Sequence, residues 1–305
     1  MAKILIVSLG GTICSKTGQD KVIKLSAAPD RSFFTGLGFK GELCFYNPIS
    51  YSSENATVSY FREALSGISK GVEEHSPDGV LVLHGTDSMS YFAQLAVRVL
   101  SFLDIPVVIT GAKKPLTDPS SDGKKNVRYS LNLLNAACEA KSGHATFGIV
   151  YSDSFMGDTT FVGANLATDP DYYGDIRNSG ARGSFTRLTR EQAEQFFSLS
   201  SDPKIITVPD VPGFPFDHVD PEGCDAILIE AYHSGTANSS SREDGLPALI
   251  RRAAERNVPC YLAPVPKRRE RYESEMTLRD AGIIPIEEMP IEGAWAETVL
   301  RTVIK

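Results

Sequence analysis

The sequence predicts an α/β protein: a larger N-terminal domain on a mostly parallel, doubly wound sheet, plus a smaller C-terminal α/β domain. Three observations carry that expectation. Short β-branched apolar runs alternate with helical segments between residues 3 and 151. The runs are apolar throughout rather than at every second residue, as in strands covered on both faces. Beyond residue 204 the alternation resumes, after a polar, glycine-punctuated stretch. At 305 residues the chain is long enough for two domains.

Residues 3–8 form the first run and give way to Leu9-Gly10-Gly11, so Thr12 is expected at a strand's carboxyl end. A helix over 58–70 precedes a strand at 79–84, a helix over 90–102 precedes a strand at 105–110, and a helix from about 126 to 140 precedes a strand at 145–151. Open α/β sheets bind ligands at the carboxyl ends of their strands. There the sequence supplies Thr12, Gly85-Thr86-Asp87 and Gly111-Ala112. The first domain is expected to span 1–185. A connection over 186–204, with a helix at 190–198, leads to a second domain over 205–305, with strands at 205–208, 226–230 and 259–263 and helices at 247–257 and 293–303.

The formal net charge of -7 opposes nucleic-acid binding, and the basic runs Lys124-Lys125 and Lys267-Arg268-Arg269 are too short to reverse it. Five scattered cysteines without a C-x-x-C pair read as reduced thiols of a cytoplasmic protein. No apolar run suits a signal peptide or a membrane span. The five histidines lack short metal spacing, Gly10-Gly11 lacks the G-x-G-x-x-G spacing of a dinucleotide site, and neither a G-x-S-x-G nucleophile elbow nor a P-loop appears, so neither metal nor cofactor is expected. A small-molecule partner remains.

Each motif has a structural and a chemical reading. Gly10-Gly11-Thr12-Ile13 is either a glycine turn with a capping threonine or a hydroxyl at a point of close backbone approach. His84-Gly85-Thr86-Asp87-Ser88-Met89 is either a helix N-cap or a hydroxyl–carboxylate pair facing a ligand. Gly111-Ala112 with the polar loop 118–126 is either a surface loop or a third wall.

Together with Tyr51-Ser52-Ser53-Glu54-Asn55, Thr110-Gly111-Ala112-Lys113-Lys114-Pro115 and Ser121-Asp122-Gly123 with Asn126, these clusters resemble the bacterial-type L-asparaginases. A fainter likeness continues into residues 231–238. The resemblance implies an amidohydrolase that cleaves a small amino-acid amide, asparagine by default, through an acyl-enzyme and releases ammonia. Thr12 would be the nucleophile. Thr86 and Asp87 would complete the catalytic set, Asp87 also receiving the substrate ammonium. Ser52 would hold the substrate carboxylate in a pocket shared with Ser53, Glu54, Gly11, Gly85 and Ala112. A homodimer or homotetramer is implied, in which one subunit's second domain helps close another's site; His233, Asn238 and Glu270 are the residues to consider there.

Two departures stand out. The family's lid tyrosine has no counterpart between Cys14 and Phe33, where Ser15, Thr17 and Asp20 are the polar replacements. No lysine occurs between Ser142 and Pro203, where the family's catalytic lysine is expected near Gly163; Arg177 and Arg182 lie beyond that point and cannot accept a proton. The pocket becomes more acidic as a result. A catalytically weak amino-acid-binding protein or partner subunit is the competing reading.

Overall fold

A computed structural model describes residues 1–26, 28–29, 31–143, 146–151, 154–157, 185–232, 234–267 and 270–304. They form two compact units. One takes residues 1–157 with Thr186–Ser200, and the other takes residue 185 with residues 201–304.

The first unit contains β1 (Lys3–Ser8), β2 (Lys16–Thr17), β3 (Ile23–Lys24), α1 (Arg31–Thr35), β4 (Glu42–Tyr46), α2 (Val58–His75), β5 (Gly79–Leu83) and α3 (Met89–Val99). It continues with β6 (Val107–Thr110), α4 (Gly123–Glu139), β7 (Phe147–Tyr151), β8 (Ser154–Gly157) and α5 (Arg190–Phe197). Six strands make one sheet in the order β4-β1-β5-β6-β7-β8, parallel except for the β7–β8 pair. Doubly wound α/β is therefore the observed class.

The register explains why the early strands are apolar throughout. Ile4, Ile6, Leu81, Leu83 and Val108 pack with Val127, Leu131 and Leu134 of α4. The opposite face receives α2, whose Gly71 gives Leu5 room: a Cβ there would lie 3.1 Å from the leucine Cδ2. A strand covered on both sides has no position left for a polar residue.

Residues 186–200, expected as part of a connection, belong to the first unit. Thr189 and Gln192 form a reciprocal capping box at the start of α5. The Leu188 amide donates to the Arg98 carbonyl at 2.9 Å, Arg190 pairs with Glu73 of α2 at 2.6 Å, and its guanidinium stacks on Phe102.

The second unit contains β9 (Ile205–Pro209), β10 (Ala226–Glu230), α6 (Leu246–Glu255), β11 (Cys260–Val265), α7 (Glu273–Asp280), β12 (Ile284–Glu287) and α8 (Ile291–Val303). Its four strands are parallel in the order β12-β11-β10-β9. Ile227, Ile229 and Leu262 face α6 and Leu278 of α7, whereas Ala226, Leu228 and Ala263 face Ala294 of α8. No helix among the described residues is long and apolar enough to cross a membrane.

Candidate active site at the strand ends

The sheet order sets the location. Leaving aside the small β2–β3 hairpin, β4 follows β1 on one side and β5 lies on the other, so chain direction across the sheet reverses between β1 and β5. Such a switch point splays two loops apart and opens a crevice outside the strands' carboxyl ends. Thr12 follows β1 and Thr86-Asp87 follows β5.

Glycine lets the two ends meet. Gly11 has a φ of 72°, and a Cβ on it would fall 2.2 Å from the Gly85 Cα. A Cβ on Gly85 would strike the Ser53 Oγ at 2.4 Å. Gly10, with a φ of 99°, bridges Tyr51 in parallel and leaves no room for a side chain, because a Cβ would lie 2.5 Å from the Tyr51 carbonyl oxygen. Backbones of three separate segments thus touch where side chains would hold them apart. The residues one step beyond, Thr12 and Thr86, issue from the same point.

Neither threonine serves as a cap. The 3-10 turn Thr12–Cys14 has no side-chain cap, and α3 begins after Ser88 without one. Among the described residues no hydrogen bond holds the hydroxyl of Thr12 or Thr86, and both residues are half-buried. Asp87 is exposed; its Oδ2 accepts from the Ser53 hydroxyl at 2.9 Å. The Asp87 amide donates to the Ser53 hydroxyl oxygen at 3.3 Å, and the Ser88 hydroxyl donates to the Ser53 carbonyl at 2.7 Å. Ser53 is therefore engaged in holding Asp87, while Ser52 is half-buried and Glu54 exposed.

Beneath this loop lies a buried pair that the sequence motifs contain but do not disclose. The Tyr51 hydroxyl lies 2.6 Å from His84 Nε2, and His84 Nδ1 lies 2.7 Å from the Gly85 carbonyl. A carbonyl can only accept, so Nδ1 carries the proton and Nε2 accepts from the phenol. Burial among Phe61, Phe92 and Tyr51 pushes the His84 pKa down to about 4 and raises that of Tyr51. The imidazole is a neutral brace for the Gly85 peptide.

The third wall is also fastened. Asn126 of α4 donates to the Gly111 carbonyl at 2.9 Å, and Asp122 accepts from the Lys113 and Lys114 amides at 3.0 and 3.3 Å. Gly111 sits against His84 and Thr86, since a Cβ would lie 2.8 Å from the His84 oxygen and 3.2 Å from the Thr86 methyl. Ala112 is buried in the core.

Residues after Thr12 differ from expectation. Ser15 is buried and its hydroxyl donates to the Gly11 carbonyl at 2.9 Å, so it braces the turn and cannot serve as a lid residue. Thr17 lies in the β2–β3 hairpin, and Asp20 is paired with Lys24 at 2.9 Å. Val22, Ile23 and Leu25 are exposed, with Leu25 reaching toward Gly10. Cys14, buried beside Ser8, has its pKa pushed up to about 11 by desolvation, so it is a neutral thiol. Gly163, Arg177, Arg182 and His233 lie outside the described residues.

The second unit has its own strand-end crevice, about 620 Å³, lined by Asp210, Tyr232, Thr236, Asn238 and Tyr272 among others. Asp210 follows β9; its carboxylate accepts from the Asn238 amide at 2.6 Å, and desolvation raises its pKa. The Asn238 side chain in turn accepts from the Ser240 amide at 2.9 Å.

A doubly wound sheet with a threonine and a threonine–aspartate pair at its switch point defines a class that sequence comparison makes specific. The chain belongs to the asparaginase family: residues 3–158 match the family model described as "Asparaginase, N-terminal". It is 30% identical over 171 residues to a subunit of the glutamyl-tRNA(Gln) amidotransferase of Methanobrevibacter smithii, covering 52% of this chain and 35% of that one. The match therefore spans about a third of that relative's length. It is 25% identical over 230 residues to the L-asparaginase of Thermococcus kodakarensis, covering 70% and 66% of the two chains. Among solved structures, a probable cytoplasmic L-asparaginase from Campylobacter jejuni superposes with a TM-score of 0.71 at 17% identity, covering 100% of this chain and 96% of that one. The Thermococcus kodakarensis enzyme gives 0.69 at 18%, covering 99% and 93%.

Proposed function

We propose that the chain is a cytoplasmic amidohydrolase that cleaves the side-chain amide of asparagine or a related small amino-acid amide and releases ammonia. The observation that carries this reading is the Gly11–Gly85 backbone contact, from which Thr12, Thr86 and Asp87 issue at the switch point, both threonine hydroxyls without a hydrogen bond among the described residues. Thr12 Oγ1 attacks the amide carbon and gives up its proton; the tetrahedral species expels ammonia and leaves an ester on Thr12, which water then hydrolyses to the free acid. Thr86 supports proton transfer. Asp87 receives the substrate ammonium, and Ser52 receives its carboxylate. Ser53 acts through Asp87, Glu54 stands at the rim, and the backbone at Gly11, Gly85 and Ala112 bounds the pocket. Dimeric or tetrameric assembly completes the site in this reading.

The lysine-free stretch between Ser142 and Pro203 gives the pocket a particular bias. Among the described residues no cation pairs with Asp87, and a unit-charge pair at about 4 Å is worth roughly 4 kcal/mol at an effective dielectric of 20, so Asp87 demands that charge from its ligand. Equal affinity for an amino-acid amide and its uncharged deamino analogue would remove this branch.

The same stretch, and the relatives that are amidotransferase subunits, support a second reading: a catalytically weak amino-acid-binding protein or partner subunit. Ammonia release across asparagine, glutamine, their D-forms and related amides, with Thr12→Ala in parallel, separates the two. Turnover lost in the variant supports the nucleophile. Binding without turnover by the unaltered protein supports the partner-subunit reading.

A further inference from the structure

The first unit carries a second concavity, on the α4 face away from Asn126. Leu37, Phe39 and Lys40, in the loop between α1 and β4, and Arg128, Leu131 and Asn132 of α4 line a cavity of about 310 Å³. An adjoining depression shares Arg128 and Asn132 and adds Lys125 and Tyr129. The floor is apolar: Leu37 and Phe39 are half-buried against the core, and Leu131 of α4 is a buried member of it. The rim is cationic.

That charge is out of keeping with its surroundings. The chain carries a net charge of -7, yet Lys40, Lys125 and Arg128 gather here, and among the described residues none is paired with a carboxylate. Lys124 and Lys125 fall in the first turn of α4, which holds no acidic residue, and Arg128 follows in the second. Cations there oppose the helix dipole, whose positive end favours an anion. Glu139, the acid on the same helix, is engaged by Asn135 at 2.8 Å. Gly38, with a φ of 68° and nothing within 4 Å of a Cβ, lets the loop turn over the cavity without filling it.

We infer that this groove binds a small phosphate ester, its phosphoryl group held by Arg128, Lys40 and Lys125 and its carbon skeleton laid on Leu37, Phe39 and Leu131. A planar guanidinium with two ammonium groups matches the several oxygens and double charge of a phosphate monoester. The apolar floor calls for more than the inorganic ion. The inference is independent of the reaction run at Thr12.

Isothermal titration of the intact protein with phenyl phosphate, inorganic phosphate and benzoate tests it. Phenyl phosphate is expected to bind at least about tenfold more tightly than inorganic phosphate, reflecting the buried ring. Arg128→Ala is expected to weaken it about tenfold or more, Lys40→Ala less, and added salt to weaken it further. Both side chains are exposed, so the variants keep the fold. Equal binding of phenyl phosphate and phosphate, benzoate binding as tightly as phenyl phosphate, or unchanged binding in Arg128→Ala would each overturn the assignment.

Discussion

Both units end their parallel strands in a crevice, and the two are built in opposite ways. In the first, glycine backbones are in contact, the polar side chains beyond them are small, and two hydroxyls have no hydrogen-bond partner among the described residues. In the second, the buried carboxylate of the crevice, Asp210, is already engaged with the Asn238 amide, and the exposed rings of Tyr232 and Tyr272 line the space. The first arrangement suits chemistry on a small group, where reacting atoms must be brought close and few rotamers are available. The second suits shape, with an aromatic wall and a fixed loop. Similar sheets thus end in differently built crevices, and the difference lies in which strand-end residues lack a side chain.

The largest effect should come from the first crevice. Thr12→Ala is expected to lower ammonia release at least about a thousandfold while leaving the urea midpoint nearly unchanged, because no hydrogen bond among the described residues depends on that hydroxyl. Retained turnover would erase the distinction between the two crevices. Gly11→Ala should lose both activity and stability: a Cβ 2.2 Å from Gly85 at a φ of 72° is expected to cost about 3 kcal/mol or more. Denaturation together with turnover reads that coupling.

The brace beneath the first crevice should show itself through pH. His84 titrates near 4 in the folded protein and at about 6.5 unfolded, so between those values the unfolded chain binds the extra proton. Stability is full above about pH 6.5 and falls as the pH drops toward 4, by about 2 kcal/mol at pH 5. Urea midpoints from pH 8 to 5 measure the slope, and His84→Phe should flatten it. Tyr51→Phe leaves Nε2 without its donor and is expected to cost about 1 to 3 kcal/mol at pH 7.

The smallest effect belongs to the second unit. The Asp210 pKa is raised by desolvation, so its ionised form works against folding at neutral pH. Asp210→Asn keeps an acceptor for the Asn238 amide. It should stabilise the protein at pH 7 by about a few tenths of a kcal/mol, a gain that fades as pH falls through the carboxyl's folded pKa. A loss of stability instead would make the charge itself the support of the loop.

Much of this architecture was legible because buried parallel strands have no polar positions. Residues 3–8 and 226–230 match β1 and β10 to the residue, and 79–84 and 105–110 contain β5 and β6. Elements of mixed exposure were not legible. Glu42–Tyr46 is a half-exposed edge strand, Glu273–Asp280 has only Glu275 and Leu278 buried, and Ile284–Glu287 contains a proline. Missing β4 mattered most, because that strand brings Tyr51 to Ser53 alongside the end of β1.

The sequence by itself determined the fold class, the order of strand-end motifs and the residue types at the site, since these depend on local apolar runs and short motifs. Tertiary structure decided which way ambiguous residues went. On local chemistry Thr86 and Asp87 were equally suited to cap a helix, but their side chains do not cap α3; Ser53 instead fixes Asp87. Ser15 turned inward to Gly11, and Tyr51 met His84 across 33 residues of chain. The reason is physical: a hydroxyl or an imidazole can satisfy a neighbour in sequence or one brought by folding, and only the packed chain determines which partner is within reach.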